Sequence, residues 1–593
     1  MPTVTVRHVV HELMAFHGMT CVFGNPGSNE LPFLKDLPAR YVLALHEATA
    51  VAMADGYSQI TGRPALINLH AASGTGNGLG ALTNSVISRS KLVITAGQQV
   101  RDMVGPEVML ANVRAPALAE PLVHLSLEPL SAGDVPRAFS QSVLAAEDGP
   151  VYLSVPYDDW DAEVPAALVA QLSRRVVSGR TVDPQVIADL GARLSAAATP
   201  ALVLGPDVDD ERAWASSIAL AEAHGLPVWA APSLSRLPFP NRHPLFQGVL
   251  PAGIAPIGDI LGAHDLVLVI GAPVFRYHQW VPGQYLPETT ELIQIGDDVR
   301  AAVRAPFGDA LIADPVEIIR ALAEATAGPG RPAGVGAGSP REAGKDETAA
   351  PRTAIPAPAA SASEGVLHPE EVFAALRETM PGDTRFVVES TSTNAAFWAQ
   401  MDLTHPGSYF FPASGGLGWG LPASLGVALA DPRRPVVAVI GDGSAHYSIS
   451  ALRTAVTEDI PVIVVLLRNG TYGALDWFAD MLGVDKAPGL DLGVVDFVSI
   501  ARGYGMEAAH AASPAELAAL LAEASARAAD HGQSTFIEVD TEKTRPEKPR
   551  TDGEPEAGAA EGDEDPSTGA RPGSQTRPQT EQFPSDDEQG VQR

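Results

Sequence analysis

Apolar residues recur along this chain in two rhythms. Short β-branched runs such as "TCVFG", "PALINLH", "KLVITAG" and "GPVYLSVP" are separated by stretches like "VRHVVHELMAFHG", in which apolar positions repeat every three or four residues. The runs have the length and continuity of strands buried on both faces, and the stretches between them have helical periodicity. The same alternation returns in "PALVLGP", "LPVWAAP", "DLVLVIGAP" and "ELIQIGDD", and again in "RFVVES", "PVVAVIGDG", "IPVIVVLLRN" and "STFIEVD". Strand and helix in alternation predict parallel sheets covered on both sides, so the expected class is α/β with three doubly wound parallel-sheet domains. Their expected limits are residues 2–180, 181–330 and 365–541. Between the second and third, residues 331–364 turn to Gly, Pro, Ala and Ser and read as a flexible linker. Residues 542–593, rich in Pro, Glu, Asp, Gln and Gly, read as a disordered tail.

The chain has 593 residues and a formal charge of −31. The run after residue 541 carries 13 acids and 7 bases, so most of the acidity belongs to the folded body. Such a balance argues against nucleic acid and against anionic membrane surfaces. The single cysteine, Cys21, cannot form an intrachain disulfide and reads as a small buried apolar residue. No signal-peptide pattern opens the chain and no apolar run reaches the ~18 residues of a membrane span, so a cytoplasmic protein is expected.

Two strand endings carry the chemistry. "PVVAVIGDG" closes on Gly441-Asp442-Gly443, and "IPVIVVLLRN" closes on Asn469, followed by Gly470 and Thr471. In doubly wound sheets, ligands bind beyond the carboxyl ends of the strands. A carboxylate, a carboxamide and a backbone carbonyl are hard oxygen donors suited to Mg²⁺. Gly441 and Gly443 allow close approach of a phosphate, and a helix expected from near Ser444 offers its first amides. The residues therefore point to a Mg²⁺–diphosphate cradle with Asp442, Asn469 and Thr471 as metal ligands.

A Gly-Asp-Gly followed some 26 residues later by a strand ending in Asn resembles the signature of thiamin diphosphate enzymes. Where that family usually has two asparagines, this chain has Arg468-Asn469. Side chains alternate along an extended chain, so the exchange at 468 is expected to leave coordination intact. The resemblance implies an activating glutamate in another domain, and Glu47 in "YVLALHEATAVAMADGYSQ" fits. "VFGNPGSNELPFLKD", "INLHAASGTGNGLGAL", "ITAGQQV", "GPVYLSVPYDDWD", "IGAPVFRYHQW" and "ESTSTN" narrow the likeness to the benzoylformate decarboxylases, over nearly all of the chain outside linker and tail.

That resemblance implies a role for each of several further residues. Ser28 is expected to bind the substrate carboxylate, with His70 and His278 as proton relays; His8, His11, His17, His46, His124 and His446 are read as structural. Thr391 and the Gly415 backbone are expected on the aminopyrimidine, Leu417 beneath the bent cofactor, and Gly441, Ser444 and Tyr472 around the diphosphate. Met109, Leu110, Ala474, Leu475 and Phe478 are expected to line an aryl pocket, with Asp476 near its mouth where the family more often has a basic residue. The implied reaction is non-oxidative decarboxylation of benzoylformate or a related aryl 2-oxo acid, with carboligation as a side activity and mandelate catabolism as the setting. The implied assembly is a homotetramer, a dimer of dimers with active sites at subunit interfaces. The alternatives are a relative acting on another 2-oxo acid and a catalytically silent homologue.

Overall fold

The computed structural model describes residues 2–177, 182–326 and 354–544. It contains three six-stranded sheets, each entirely parallel. The first runs in the order Arg40–Leu43, Cys21–Gly24, Ala65–Leu69, Leu92–Gln98, Val151–Pro156, Leu125–Leu127. The second runs Phe246–Val249, Val228–Ala230, Pro200–Leu204, Leu266–Ile270, Glu291–Gly296, Asp309–Ile312. The third runs Tyr409–Phe410, Arg385–Glu389, Val436–Gly441, Ile463–Arg468, Thr535–Asp540, Glu507–Ala511. Its order reverses between Arg385–Glu389 and Val436–Gly441, which places a ligand-binding crevice at the ends of those two strands.

The central strands are the apolar runs read from the sequence. The edge strands Leu125–Leu127, Phe246–Val249, Asp309–Ile312, Tyr409–Phe410 and Glu507–Ala511 were not. Most of these are only partly buried, so they carry no continuous apolar signal. Tyr409–Phe410 is buried but only two residues long. An antiparallel ribbon of Thr3–Thr5 and Glu163–Pro165 also escapes the pattern for want of length.

The first and third domains meet through helices Glu47–Thr61 and Gly420–Ala430. They cross so closely that a Cβ at Gly56 would strike the Ala423 carbonyl, and one at Gly426 the Met53 carbonyl. Beside this crossing Asp55 is fully buried. It accepts from Gln59 Nε2 at 2.9 Å, Ser85 Oγ at 2.9 Å, Trp419 Nε1 at 2.8 Å and the Ser90 hydroxyl. The second domain joins through Arg236, which donates to Asp209 at 2.8 Å and to the Gln59 carbonyl at 3.1 Å. Its guanidinium lies 4.9 Å from the centre of the Phe410 ring.

Most of the expected linker and tail lies outside the described residues. Of the expected linker, residues 354–364 run beside helix Pro369–Thr379, where Ala359 N and Ser361 N donate to Glu370 and Glu371. Of the expected tail, Glu542 N donates to the Leu367 carbonyl and Thr544 Oγ1 to the Ser392 carbonyl. No helix among the described residues is long and apolar enough to cross a membrane.

Candidate active site

Strands Val436–Gly441 and Ile463–Arg468 are neighbours, with Gly441 opposite Leu467. Helix Asp442–Ser448 begins at Asp442 itself, two residues before the expected start. The Asp442 carboxylate is buried and accepts from Gly443 N at 2.9 Å and Gly470 N at 2.7 Å. Burial raises its pKa, while these backbone amides act in the opposite sense. Asn469 Oδ1 accepts from Thr471 N at 3.0 Å, and Thr471 Oγ1 donates to the Leu490 carbonyl at 2.8 Å. A Cβ on Gly443 would stand 2.5 Å from the Tyr472 ring, so a larger residue there would displace that ring. Carboxylate and carboxamide oxygens thus converge beyond two adjacent strand ends, a donor set that fits a small hard cation. Among the described residues, no cluster of three or more His, Cys, Asp or Glu is placed to hold a metal ion.

These groups open into a cavity of about 1350 Å³ between the second and third domains. Its walls hold Thr391, Gly415, Leu417, Gly441, Asp442, Gly443, Ser444, Asn469, Thr471 and Tyr472 from the third domain. Ala474, Leu475 and Phe478, on helix Gly473–Met481, and His278 of the second domain lie there too. The His278 and Phe478 rings meet edge to face, 5.1 Å between centroids. Gly415 has φ +77°, a conformation that favours glycine and turns its backbone into the cavity wall.

Glu47, Ser28, His70, Met109 and Leu110 are absent from this cavity. They belong to the carboxyl edge of the first sheet. Glu47 is the first residue of helix Glu47–Thr61, capped by His46, and is 7% exposed. Its carboxylate accepts from Asn77 Nδ2 at 3.0 Å and Asn25 Nδ2 at 3.4 Å. His70 stands immediately before helix Ala71–Ile87, at its N-cap position. Ser28 is exposed, and its hydroxyl donates to Asn29 Oδ1 at 3.3 Å. Met109 is 85% exposed, and Leu110 stands in the left-handed region at φ +68°. The loop presenting them is fixed by Gln99 Nε2, which donates to the Met109 carbonyl, and by Arg101, paired with buried Asp159. At the far end of helix Ala71–Ile87, Asn84 bonds Ser414 and Gly416 beside the cavity's Gly415. His70 is 14 residues from Asn84, about 20 Å along the axis at the helical rise. In the single chain Glu47, Ser28 and His70 thus lie outside the cavity that holds Asp442 and Asn469.

Three family models tile the chain: the N-terminal TPP binding domain of thiamine pyrophosphate enzymes over residues 4–117, their central domain over 187–322 and their C-terminal TPP binding domain over 390–539. The chain is a member of the thiamine pyrophosphate enzyme family. It is 52% identical to benzoylformate decarboxylase of Pseudomonas aeruginosa over 549 residues, 91% of this chain and all of the relative. It is similar to the solved thiamine diphosphate-dependent 4-hydroxybenzoylformate decarboxylase of Rhodococcus jostii RHA1, with 48% identity, a TM-score of 0.84, and coverage of 91% of this chain and 100% of that one. The solved benzoylformate decarboxylase of Polynucleobacter necessarius matches with 36% identity and a TM-score of 0.82, covering 91% and 99%.

Two acids of this thiamine pyrophosphate enzyme were missed in the sequence. Glu30 is 1% exposed and sits within "NPGSNE", two residues after Ser28. It accepts from Gly27 N at 2.9 Å, Gly97 N at 2.9 Å and His70 Nδ1 at 2.8 Å. An ionised carboxylate only accepts, so this contact calls for the His70 ring proton on Nδ1. Gly27 is required because a Cβ there would overlap the His70 ring. Glu389, the last residue of strand Arg385–Glu389, lines the cavity and accepts from Gly418 N at 2.6 Å and Gly420 N at 2.5 Å. It fixes the turn that carries Leu417. Burial pushes its pKa up to about 8, against the pull of these amides. Their only trace in the sequence is an acid beside each polar strand end, and many solvated acids look the same.

The two departures resolve differently. The Arg468 side chain points away from Asn469 and pairs with Asp540 and Glu538. Asp476 lies in the first turn of helix Gly473–Met481, where a carboxylate suits the helix dipole, and is not among the residues lining the cavity.

Proposed function

We propose that this enzyme decarboxylates benzoylformate, or an aryl 2-oxo acid close to it, to the aldehyde and CO₂. The carrying observation is the contact of His278 with Phe478 inside the cavity that also holds Leu417 and Asp442. A proton-transfer group and an aromatic wall thus share one space with the diphosphate cradle. The names of the similar decarboxylases support the same substrate class.

Thiamin diphosphate, when bound, supplies the electron sink that lets CO₂ leave. Asp442, Asn469 and the Thr471 carbonyl would hold Mg²⁺ against its diphosphate, and Thr391, Gly415 and Leu417 would seat its rings. Glu47, nearly buried and hydrogen-bonded by two amides, can hold a proton against the aminopyrimidine. His70 presents Nε2, with Nδ1 committed to Glu30, and so can take and return a proton at the reacting carbon's oxygen. His278 serves the same purpose from the opposite wall, and Ser28 binds the carboxylate. Ala474, Leu475 and Phe478 exclude water from the aryl group, joined by Met109 and Leu110.

This assignment requires two copies of the chain. Glu47, Ser28, His70, Met109 and Leu110 of one copy would complete the cavity of the other, giving a dimer that pairs again into a tetramer. The exposure of Met109 in the single chain supports the reading, since large apolar residues on loops held this firmly suit a covered surface. We place the enzyme in the cytoplasm, where 2-oxo acids from mandelate oxidation would reach it.

The test is release of CO₂ and benzaldehyde from benzoylformate, with and without added thiamin diphosphate and Mg²⁺, beside pyruvate, phenylpyruvate and indolepyruvate. The expected result is cofactor-dependent benzaldehyde with benzoylformate preferred at least tenfold in kcat/KM. Preference for another acid overturns the pocket assignment, and failure to turn over any acid while binding cofactor overturns the catalytic one.

A further inference from the structure

Arg468 stands directly before Asn469, at the end of strand Ile463–Arg468 and opposite Asp540 of strand Thr535–Asp540. Its Nε donates to Asp540 Oδ1 at 2.5 Å and its Nη2 to Asp540 Oδ2 at 2.8 Å, a bidentate fork. Nε also lies 3.0 Å from Glu538 Oε1, and Glu538 is 3% exposed. The third nitrogen, Nη1, donates to the Val495 carbonyl at 3.3 Å. The Arg468 carbonyl accepts from Thr541 N at 2.9 Å.

Val495 ends a segment that straps the metal turn. Leu492 N donates to the Gly470 carbonyl at 2.9 Å, and the Leu490 carbonyl accepts from Tyr472 N at 2.9 Å and Thr471 Oγ1 at 2.8 Å. Thr471 also bridges to Asp491. Residues 470–472 are thus held by residues 490–492, and the far end of that strap is tied back by Arg468 to two neighbouring carboxylates. Thr541 and Thr544, which follow Asp540, line the same cavity.

We infer that Arg468 is a positioning residue for the metal and diphosphate end of the site. Its fork to Asp540 orients the guanidinium so that Nη1 holds the strap shaping the Asn469–Thr471 turn, and so fixes the oxygens offered to the cation before it arrives. Lysine cannot replace it, because one ammonium cannot make the planar fork and reach Val495 together. A purely electrostatic role would have a different signature. The Arg468 charge is already met by Asp540 and Glu538, and lysine would preserve it.

The inference rests on the proposed metal role of Asp442, Asn469 and Thr471. The experiment titrates the full-length apoprotein with Mg²⁺ at fixed thiamin diphosphate and follows tryptophan fluorescence. R468K, R468M and D540N are compared with D442N, alongside thermal unfolding without cofactor. The expected result is a Mg²⁺ Kd about tenfold higher for R468K, R468M and D540N, with kcat at saturating Mg²⁺ within twofold of the parent. Hydrogen exchange should also quicken in residues 490–495. Wild-type Mg²⁺ affinity in both R468K and D540N overturns the inference, whether or not the unfolding temperature falls. A Kd change in R468M but not R468K assigns the effect to charge and overturns it as well. Unchanged Mg²⁺ affinity in D442N overturns the metal assignment itself, a separate failure.

Discussion

At the scale of single residues, buried groups outside the cavity hold the proposed site residues in place. Glu30 is the clearest: buried among backbone amides, it is the group that meets Nδ1 of His70. In Glu30→Gln one carboxylate oxygen becomes an amide donor facing other donors, and the ring loses its carboxylate partner. The expected outcome is a kcat for benzoylformate lower by about tenfold to a hundredfold, with KM altered less than threefold. Steady-state kinetics measures this, and the ring nitrogen NMR signals of His70 should show a mixed tautomer. Unaltered kcat would leave Glu30 a purely structural anchor.

Among elements, Glu389 joins the end of strand Arg385–Glu389 to the start of helix Gly420–Ala430. Its ordinary pKa is 4.5, and burial carries it up to about 8 in the folded chain. The native state therefore binds this proton more tightly than the unfolded one. Its contribution to stability is complete below about pH 4.5 and is lost as pH rises through about 8. Denaturation of the wild type and Glu389→Gln between pH 5 and 9 should show the wild type losing stability relative to the variant across that window. Parallel pH curves would show that the amides of Gly418 and Gly420 hold Glu389 ionised throughout.

For the whole molecule, the proposed sharing of each site between two copies of the chain predicts complementation between variants. Glu47→Gln and Asp442→Ala each disable a different half, so each homo-oligomer should be inactive. In a mixed dimer of the two, one site gathers both defects and the other receives neither. Unfolding, mixing equally and refolding the variants should restore up to about a quarter of wild-type turnover for random pairing. No recovery, with mixed oligomers demonstrated by mass, would place the complete site within one chain.

The sequence by itself determined the central strands, because strands covered on both faces must be apolar along their whole length. It also determined the polar endings at Asp442 and Asn469, since a Gly-Asp-Gly and an Asn-Gly-Thr interrupt such strands conspicuously. Partly buried edge strands such as Glu507–Ala511 were silent because they carry no continuous apolar run. Only the tertiary structure decided which endings meet. Glu30 and His70 are 40 residues apart and hydrogen-bonded, whereas Glu47, also named from sequence, lies outside the cavity that holds Asp442. It decided the meaning of Arg468 as well, since the Asp540 that holds it lies 72 residues away on the adjoining strand. Periodicity reports how each segment is buried, but contacts across the sheet follow from strand order, which no local pattern encodes.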